Sequence, residues 1–211
     1  MVRVKICGIT NWADAKLAIA AGAIALGFNF YGASPRRIAL RQARKIIRRM
    51  PRRVAAVGVF VNATEKEILR IARAANLSML QLHGEESPKT VARLAREFPV
   101  IKAFRVGPRF RARELAPYMG AAAFLLDGFD PGRHGGTGKT FDWCKVREAK
   151  TFGPIILAGG LRAENVAEAI RSARPYAIDV CSGVETRPGK KDAQKLKALM
   201  GAVKRVRRQM G

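Results

Sequence analysis

Eight short runs rich in Val, Ile, Leu and Phe punctuate this chain, and a stretch with helical character follows most of them. The runs are Val2–Cys7, Ala25–Tyr31, Val54–Val61, Met79–His83, Val100–Val106, Ala122–Asp127, Pro154–Ala158 and Ala177–Cys181. Several are almost continuously apolar, the pattern of parallel strands buried on both faces. Helix start signals lie between them. Asn11 precedes Trp12–Ala21, Thr64 and Glu67 make a capping-box pattern before Ile68–Ala75, and Ser87 with Pro88 opens another helix. A short helix is expected at Ala112–Tyr118, with others at Phe141–Lys150, Arg162–Arg171 and Asp192–Arg208. Strands that alternate with helices need crossover connections, which build a parallel sheet. Eight such units of about 26 residues favour closure into a (βα)8 TIM barrel over an open doubly wound α/β sheet. No linker or low-complexity segment interrupts residues 1–211, so one catalytic barrel domain is expected.

The formal net charge of +24 is the abnormal quantity, and a strongly basic chain invites a nucleic-acid partner. Its basic residues are spread over Arg41–Arg53, Arg105–Arg113, Lys145–Lys150 and Lys190–Arg208, mostly within helical patterns. Aromatic residues, which stack on bases, are only 7% and do not interleave with arginine. No specific nucleic-acid partner is expected, whereas an anionic small substrate would be drawn in by the field. No apolar run reaches the roughly 20 residues that span a bilayer. Charged and apolar residues alternate over Met1–Gly8, unlike the apolar core of a signal peptide. No membrane partner and a cytoplasmic location are therefore expected. Cys7, Cys144 and Cys181 are odd in number and, with only His83 and His134 to join them, lack metal-ligand spacing. No metal or other cofactor is expected.

Barrels of this kind work at the C-terminal ends of their strands. Period two puts Lys5 with Cys7, Gln81 with His83, Leu125 with Asp127, and Asp179 with Cys181 on common strand faces. Facing inward, these pairs would make a polar mouth above an apolar barrel. The seventh and eighth runs end in Ala158-Gly159-Gly160 and Cys181-Ser182-Gly183. Glycines let backbone amides approach an anion, a following helix adds its dipole, and these two loops are the usual phosphate site of such barrels. The segment Gly132–Thr140 imitates a Walker A loop, but the residue five before Gly138 is Arg133 and not glycine. It reads instead as a mobile glycine-rich loop over the mouth.

These residues resemble a known pattern. Lys5-Ile6-Cys7-Gly8-Ile9-Thr10, Ser34-Pro35-Arg36, Gly58-Val59-Phe60-Val61-Asn62 and Gln81-Leu82-His83-Gly84 are similar to segments of the phosphoribosylanthranilate isomerase family. So are Leu126-Asp127 with Gly135-Gly136-Thr137-Gly138, Leu157-Ala158-Gly159-Gly160-Leu161, and Asp179-Val180-Cys181-Ser182-Gly183-Val184-Glu185. The matches run in family order, one near almost every strand end. The resemblance implies an Amadori rearrangement of N-(5′-phosphoribosyl)anthranilate in tryptophan biosynthesis, with Cys7 as general base and Asp127 as general acid. It implies that Arg36 orients the anthranilate carboxylate and that Gly159, Gly160 and Gly183 bind phosphate, with Asp179 and Ser182 also against the substrate. Lys5, Gln81, His83 and Cys181 are supporting positions. The family usually has two serines where this chain has Cys181-Ser182. Family members occur as monomers and as homodimers, and either state is open here.

The implied chemistry demands a protonated Asp127 and an ionised Cys7, the reverse of their ordinary order. Reference values of about 3.9 and 8.5 make that gap roughly 6 kcal/mol. The apolar approach Phe124-Leu125-Leu126 is expected to desolvate Asp127, and Lys5 and Arg36 to favour the thiolate. Two alternatives stand beside this reading. One is a related phosphoribosyl sugar isomerase, whose chemistry uses an aspartate where this chain has Cys7. The other is a basic nucleic-acid-binding barrel without catalysis.

Overall fold

In a computed structural model that describes residues 2–128 and 143–210, eight parallel strands close in sequence order into a barrel. They are β1 (Arg3–Ile6), β2 (Ala25–Asn29), β3 (Ala55–Phe60), β4 (Met79–Leu82), β5 (Val100–Val106), β6 (Ala123–Gly128), β7 (Ile155–Ala158) and β8 (Ala177–Val180). Closure is made by β1 against β8, in register from Arg3 opposite Ala177 to Ile6 opposite Val180. Among the described residues no helix is long and apolar enough to cross a membrane.

Helices cover the outside. Helix α1 (Trp12–Ala21) starts where Asn11 accepts from the Asp14 N–H, α3 (Glu65–Ala75) follows α2 (Leu40–Ile47) and starts on Thr64, and α4 (Pro88–Leu94) starts on Ser87. The segment Ala112–Tyr118 is a 3-10 helix, with Pro117 inside it supplying no N–H for an α-helical ladder. Helix α5 spans Trp143–Ala149, and α6 begins at Val166, later than Arg162. The four residues before α6 form a turn instead, because Asn165 Oδ1 accepts from the Arg162 N–H and its Nδ2 donates to Gly160 O. A two-stranded hairpin, β9 (Glu185–Arg187) with β10 (Lys190–Lys191), precedes the last helix α7 (Ala193–Met210). Sequence patterning does not anticipate it, although Pro188-Gly189 carries a turn signal. The glycine-rich segment Gly132–Thr140 lies outside the described residues.

Strand side chains sort into two cores. Val4, Ile6, Leu26, Phe28, Phe60, Leu80, Phe124 and Leu126 pack outward under the helices. Ala25, Val57, Ile101, Ala103, Leu125, Ile156, Ala158 and Ala177 fill the barrel itself. Continuing the inner alternation toward the C-terminal ends brings up Lys5, Cys7, Gln81, His83, Asp127, Asp179 and Cys181. Cys7, His83 and Cys181 stand one residue past the last ladder position of their strands. There the backbone turns into the loop, although the Cys7 N–H still bonds to Val180 O at 2.9 Å and the His83 N–H to Phe60 O at 2.8 Å. The side chains are thus held at the mouth by strand geometry.

Candidate active site

Cys7, Arg36, His83, Asp127, Asp179 and Cys181 all line one cavity of about 250 Å³ at the C-terminal mouth, together with Gly159, Gly160 and Ser182. A second, larger space of about 680 Å³ shares Arg36, Gly160 and Ser182 with the first and adds Gly183, Arg162 and Lys195. Gly183 has no room for a side chain, since a Cβ there would lie 1.9 Å from Leu161 O. The loops after β7 and β8 therefore meet backbone to backbone.

The floor is an ion pair. Lys5 Nζ lies 2.9 Å from each oxygen of Asp179 and both residues are buried. Burial pushes the Asp179 carboxyl up to about 6 against the pull of Lys5. Burial opposes the charge on Lys5 most strongly of any single cause, but Asp179 and Cys7 together outweigh it and hold the amine above its ordinary value. Just above, Cys7 occupies space that Gly27 leaves, where a Cβ would come within 2.6 Å of its Sγ.

Cys7 is held well below the ordinary thiol range. The largest cause is a hydrogen bond from the Cys181 thiol; Lys5 and Lys191 add to it, against burial. Cys181 is pushed the other way by the same hydrogen bond and by burial. Lys5 thus acts on Cys7 as expected, whereas the dominant partner, Cys181, was assigned only a supporting place near the phosphate loops.

Arg36 is clamped. Its Nε lies 3.1 and 3.0 Å from the two oxygens of Glu185, and its Nη2 is 2.7 Å from Oε2. Glu185 is buried and also accepts from Lys191 Nζ at 2.9 Å and from the Gly189 N–H at 3.2 Å. Lys191 donates further to Cys181 O at 3.2 Å, and its backbone N–H bonds to buried Asp14 at 2.8 Å. The β9–β10 hairpin therefore braces both Arg36 and Cys181. Sequence reasoning missed Glu185 and Lys191, since neither sits on a barrel strand.

Asp127 departs from expectation. Its side chain is 34% exposed, only partly covered by its surroundings. Phe124 and Leu126 face the helices, and only Leu125 shares its face. His83 Nε2 stands 3.5 Å from Asp127 Oδ2. Gln81 Nε2 lies 3.0 Å from His83 Nδ1, which leaves the Nε2 edge of the ring facing Asp127. The loop that follows His83 is pinned by a second buried pair, Lys102 Nζ to Glu86 Oε2 at 2.8 Å and to Gly84 O at 2.7 Å.

The sequence model described as N-(5′-phosphoribosyl)anthranilate (PRA) isomerase matches residues 4–202. The chain belongs to this family. Among members of the phosphoribosylanthranilate isomerase family, the N-(5′-phosphoribosyl)anthranilate isomerase of Pelobacter propionicus is 48% identical over 207 residues, covering 98% of each chain. The crystal structure of the Thermus thermophilus phosphoribosyl anthranilate isomerase superimposes with a TM-score of 0.88 at 43% identity, covering 97% of this chain and 100% of that one. A further isomerase of the family, crystallised in complex with reduced 1-(o-carboxyphenylamino)-1-deoxyribulose 5-phosphate, has a TM-score of 0.84 at 40% identity over 97% of this chain and 99% of its own. Among the described residues there is no group of three or more His, Cys, Asp or Glu that could hold a metal ion.

Proposed function

We propose that this chain isomerises N-(5′-phosphoribosyl)anthranilate to 1-(2-carboxyphenylamino)-1-deoxyribulose 5-phosphate, with Cys7 as general base and Asp127 as general acid. The observation that carries the roles is that both line one small cavity, Cys7 just past the end of β1 and Asp127 near the end of β6, with Cys7 held toward its thiolate. Asp127 protonates the ribose ring oxygen and the ring opens to an iminium. The Cys7 thiolate then removes the proton from the adjacent carbon, and the enolamine tautomerises to the ketone. Those two transfers need groups that can sit at hydrogen-bond reach of the sugar on either side.

The remaining residues bind and orient. The phosphate would sit in the space lined by Gly160, Ser182 and Gly183, with Arg36, Arg162 and Lys195 as cations and Glu164 as the one carboxylate beside it. Arg36, aligned by Glu185, offers its free guanidinium edge to the anthranilate carboxylate. His83 Nε2 stands 3.5 Å from Asp127 Oδ2 and orients the carboxyl. Bound substrate would close over the part-exposed Asp127 and exclude water from its carboxyl.

The test is loss of substrate fluorescence, with the substrate made in place from anthranilate and phosphoribosyl pyrophosphate. Wild type is expected to turn over, and Cys7→Ala and Asp127→Asn to lose about 10²–10⁴-fold each. Undiminished turnover in both variants would overturn the residue roles. No turnover by folded wild-type protein would overturn the substrate.

A further inference from the structure

The mechanism above uses one of two cysteines at the mouth and leaves the other unexplained. Cys7 and Cys181 are both free thiols lining the same cavity. The β1–β8 register runs Lys5 opposite Asp179 and Ile6 opposite Val180, which makes Cys7 and Cys181 the next facing pair. The Cys7 N–H is still bonded to Val180 O at 2.9 Å, so the two chains have not separated there. Neighbouring strands lie about 4.7–4.9 Å apart, inside the roughly 4.4–6.8 Å between Cα atoms that a disulfide bridges. The Cys181 sulfur leans toward β1, since a Cβ on Gly8 would meet it at 3.0 Å. The Cys181 sulfur also lies 3.9 Å from Glu185 Oε1 and 4.0 Å from Lys191 Nζ, on the rim of the same cavity.

We propose that Cys7 and Cys181 form a reversible oxidation site, in which a peroxide converts the two thiols to a disulfide that removes the catalytic base. The residue types divide the work. Cys7, the sulfur held toward thiolate by neighbouring donors and cations, is the nucleophile that attacks peroxide. Cys181 keeps its proton and resolves the product, the arrangement of a sensor cysteine beside a resolving one. The Cys7 thiolate attacks one oxygen of hydrogen peroxide, the O–O bond breaks, and Cys7 sulfenic acid and hydroxide form. Cys181 sulfur then attacks the Cys7 sulfur, the S–O bond breaks, and the departing hydroxyl takes the Cys181 proton to leave as water. Both sulfurs are oxidised by one electron each, and the peroxide is reduced by two. A dithiol reductant reverses the bond by exchange. The cavity that admits the sugar also admits the peroxide. A serine at position 181 could not close the bond. The inhibitory part of the proposal rests on Cys7 being the base; the disulfide itself does not.

The experiment treats the reduced, full-length protein with hydrogen peroxide in the absence of substrate, then follows intact mass, cysteine peptide mapping and isomerase activity. Cys181→Ser and Cys144→Ser run in parallel, each normalised to its own reduced activity. The expected result for wild type and Cys144→Ser is loss of two hydrogens in mass, a linked peptide pair carrying Cys7 and Cys181, and activity lost in step. Dithiothreitol returns that activity to its starting value. Cys181→Ser instead gains oxygen at Cys7 and forms no link. Absence of the linked pair from oxidised wild-type protein, whatever adduct replaces it, overturns the proposal. A linked pair with activity retained overturns the base role of Cys7 and leaves the disulfide standing, so the two failures are distinguishable.

Discussion

Arg36, on the loop after β2, is gripped through two of its nitrogens by Glu185, which stands on the hairpin after β8. The Arg36 side chain is 22% exposed while that of Glu185 is 3% exposed. Burying the carboxylate and leaving the guanidinium at the rim gives Arg36 a fixed orientation without using up its outward donors. Glu185→Gln weakens that clamp and leaves Lys191 facing a neutral amide. A charge-assisted hydrogen bond contributes about 1.5–3 kcal/mol. We expect KM for phosphoribosylanthranilate to rise about tenfold or more, with kcat changed less. Steady-state kinetics decide it, and an unchanged KM would remove Arg36 alignment from the account.

Cys181, with Lys5 and Lys191, holds Cys7 below the ordinary thiol range, and its replacement should show in the pH profile. A base works only when deprotonated, so raising its proton affinity moves the acid limb of kcat/KM to higher pH. Cys181→Ala removes the donor, and we expect a loss at pH 6 about fivefold greater than at pH 9, the effect of one hydrogen bond of about 1 kcal/mol. Cys181→Ser keeps an O–H donor and should hold the limb close to wild type. Equal losses at both pH values would mean that Cys181 acts only through packing.

The Lys5–Asp179 pair beneath the site predicts a stability effect. Asp179→Asn leaves a buried ammonium uncompensated and should cost about 3–5 kcal/mol in urea unfolding. Replacing both partners by apolar residues, Lys5→Met with Asp179→Leu, should recover most of that loss. The pH dependence has a definite sign. Asp179 titrates at about 6 in the folded chain against an ordinary 3.8, so the folded state holds the extra proton between those values. That carboxyl therefore makes the fold less stable as pH rises from about 4 to about 6, and Asp179→Asn should remove this component.

Gly27 gives a steric prediction. A Cβ there would lie 2.6 Å from Cys7 Sγ and 3.1 Å from Cys7 Cα, and the second contact is backbone that cannot step aside. Gly27→Ala should push β1 and β2 apart, costing about 1–3 kcal/mol of stability and lowering kcat through displacement of the thiol. Thermal unfolding and kcat measured together test this. Wild-type values for both would show that the barrel absorbs a methyl group beside its proposed base.

Much of this molecule is written in local pattern. Apolar strand runs, turn glycines and the caps at Asn11, Thr64 and Ser87 depend on neighbours a few residues away, so they are legible in one dimension. The same holds for Cys7, Asp127 and Asp179, because strand alternation alone decides which face a residue joins. Alternation also shows why Leu125 alone of that apolar approach reaches the face of Asp127: Phe124 and Leu126 point to the other side of the sheet. Five strands, β1 to β4 and β8, end one or two residues before their apolar runs, since a ladder needs a partner at each position and not only a suitable side chain.

What the sequence by itself determined is the (βα)8 architecture, the placing of polar residues at strand ends and the glycine loops after β7 and β8. The tertiary structure alone decided who meets whom. Glu185 finds Arg36 across 149 positions, Lys5 finds Asp179 across 174, and Lys191 reaches Asp14 across 177. Such pairs follow from barrel closure, which sets the first strand beside the last and brings the ends of the chain to one site. No periodicity encodes that distance, because the energy of a buried ion pair depends on separation in space and burial, and neither is a property of sequence neighbours.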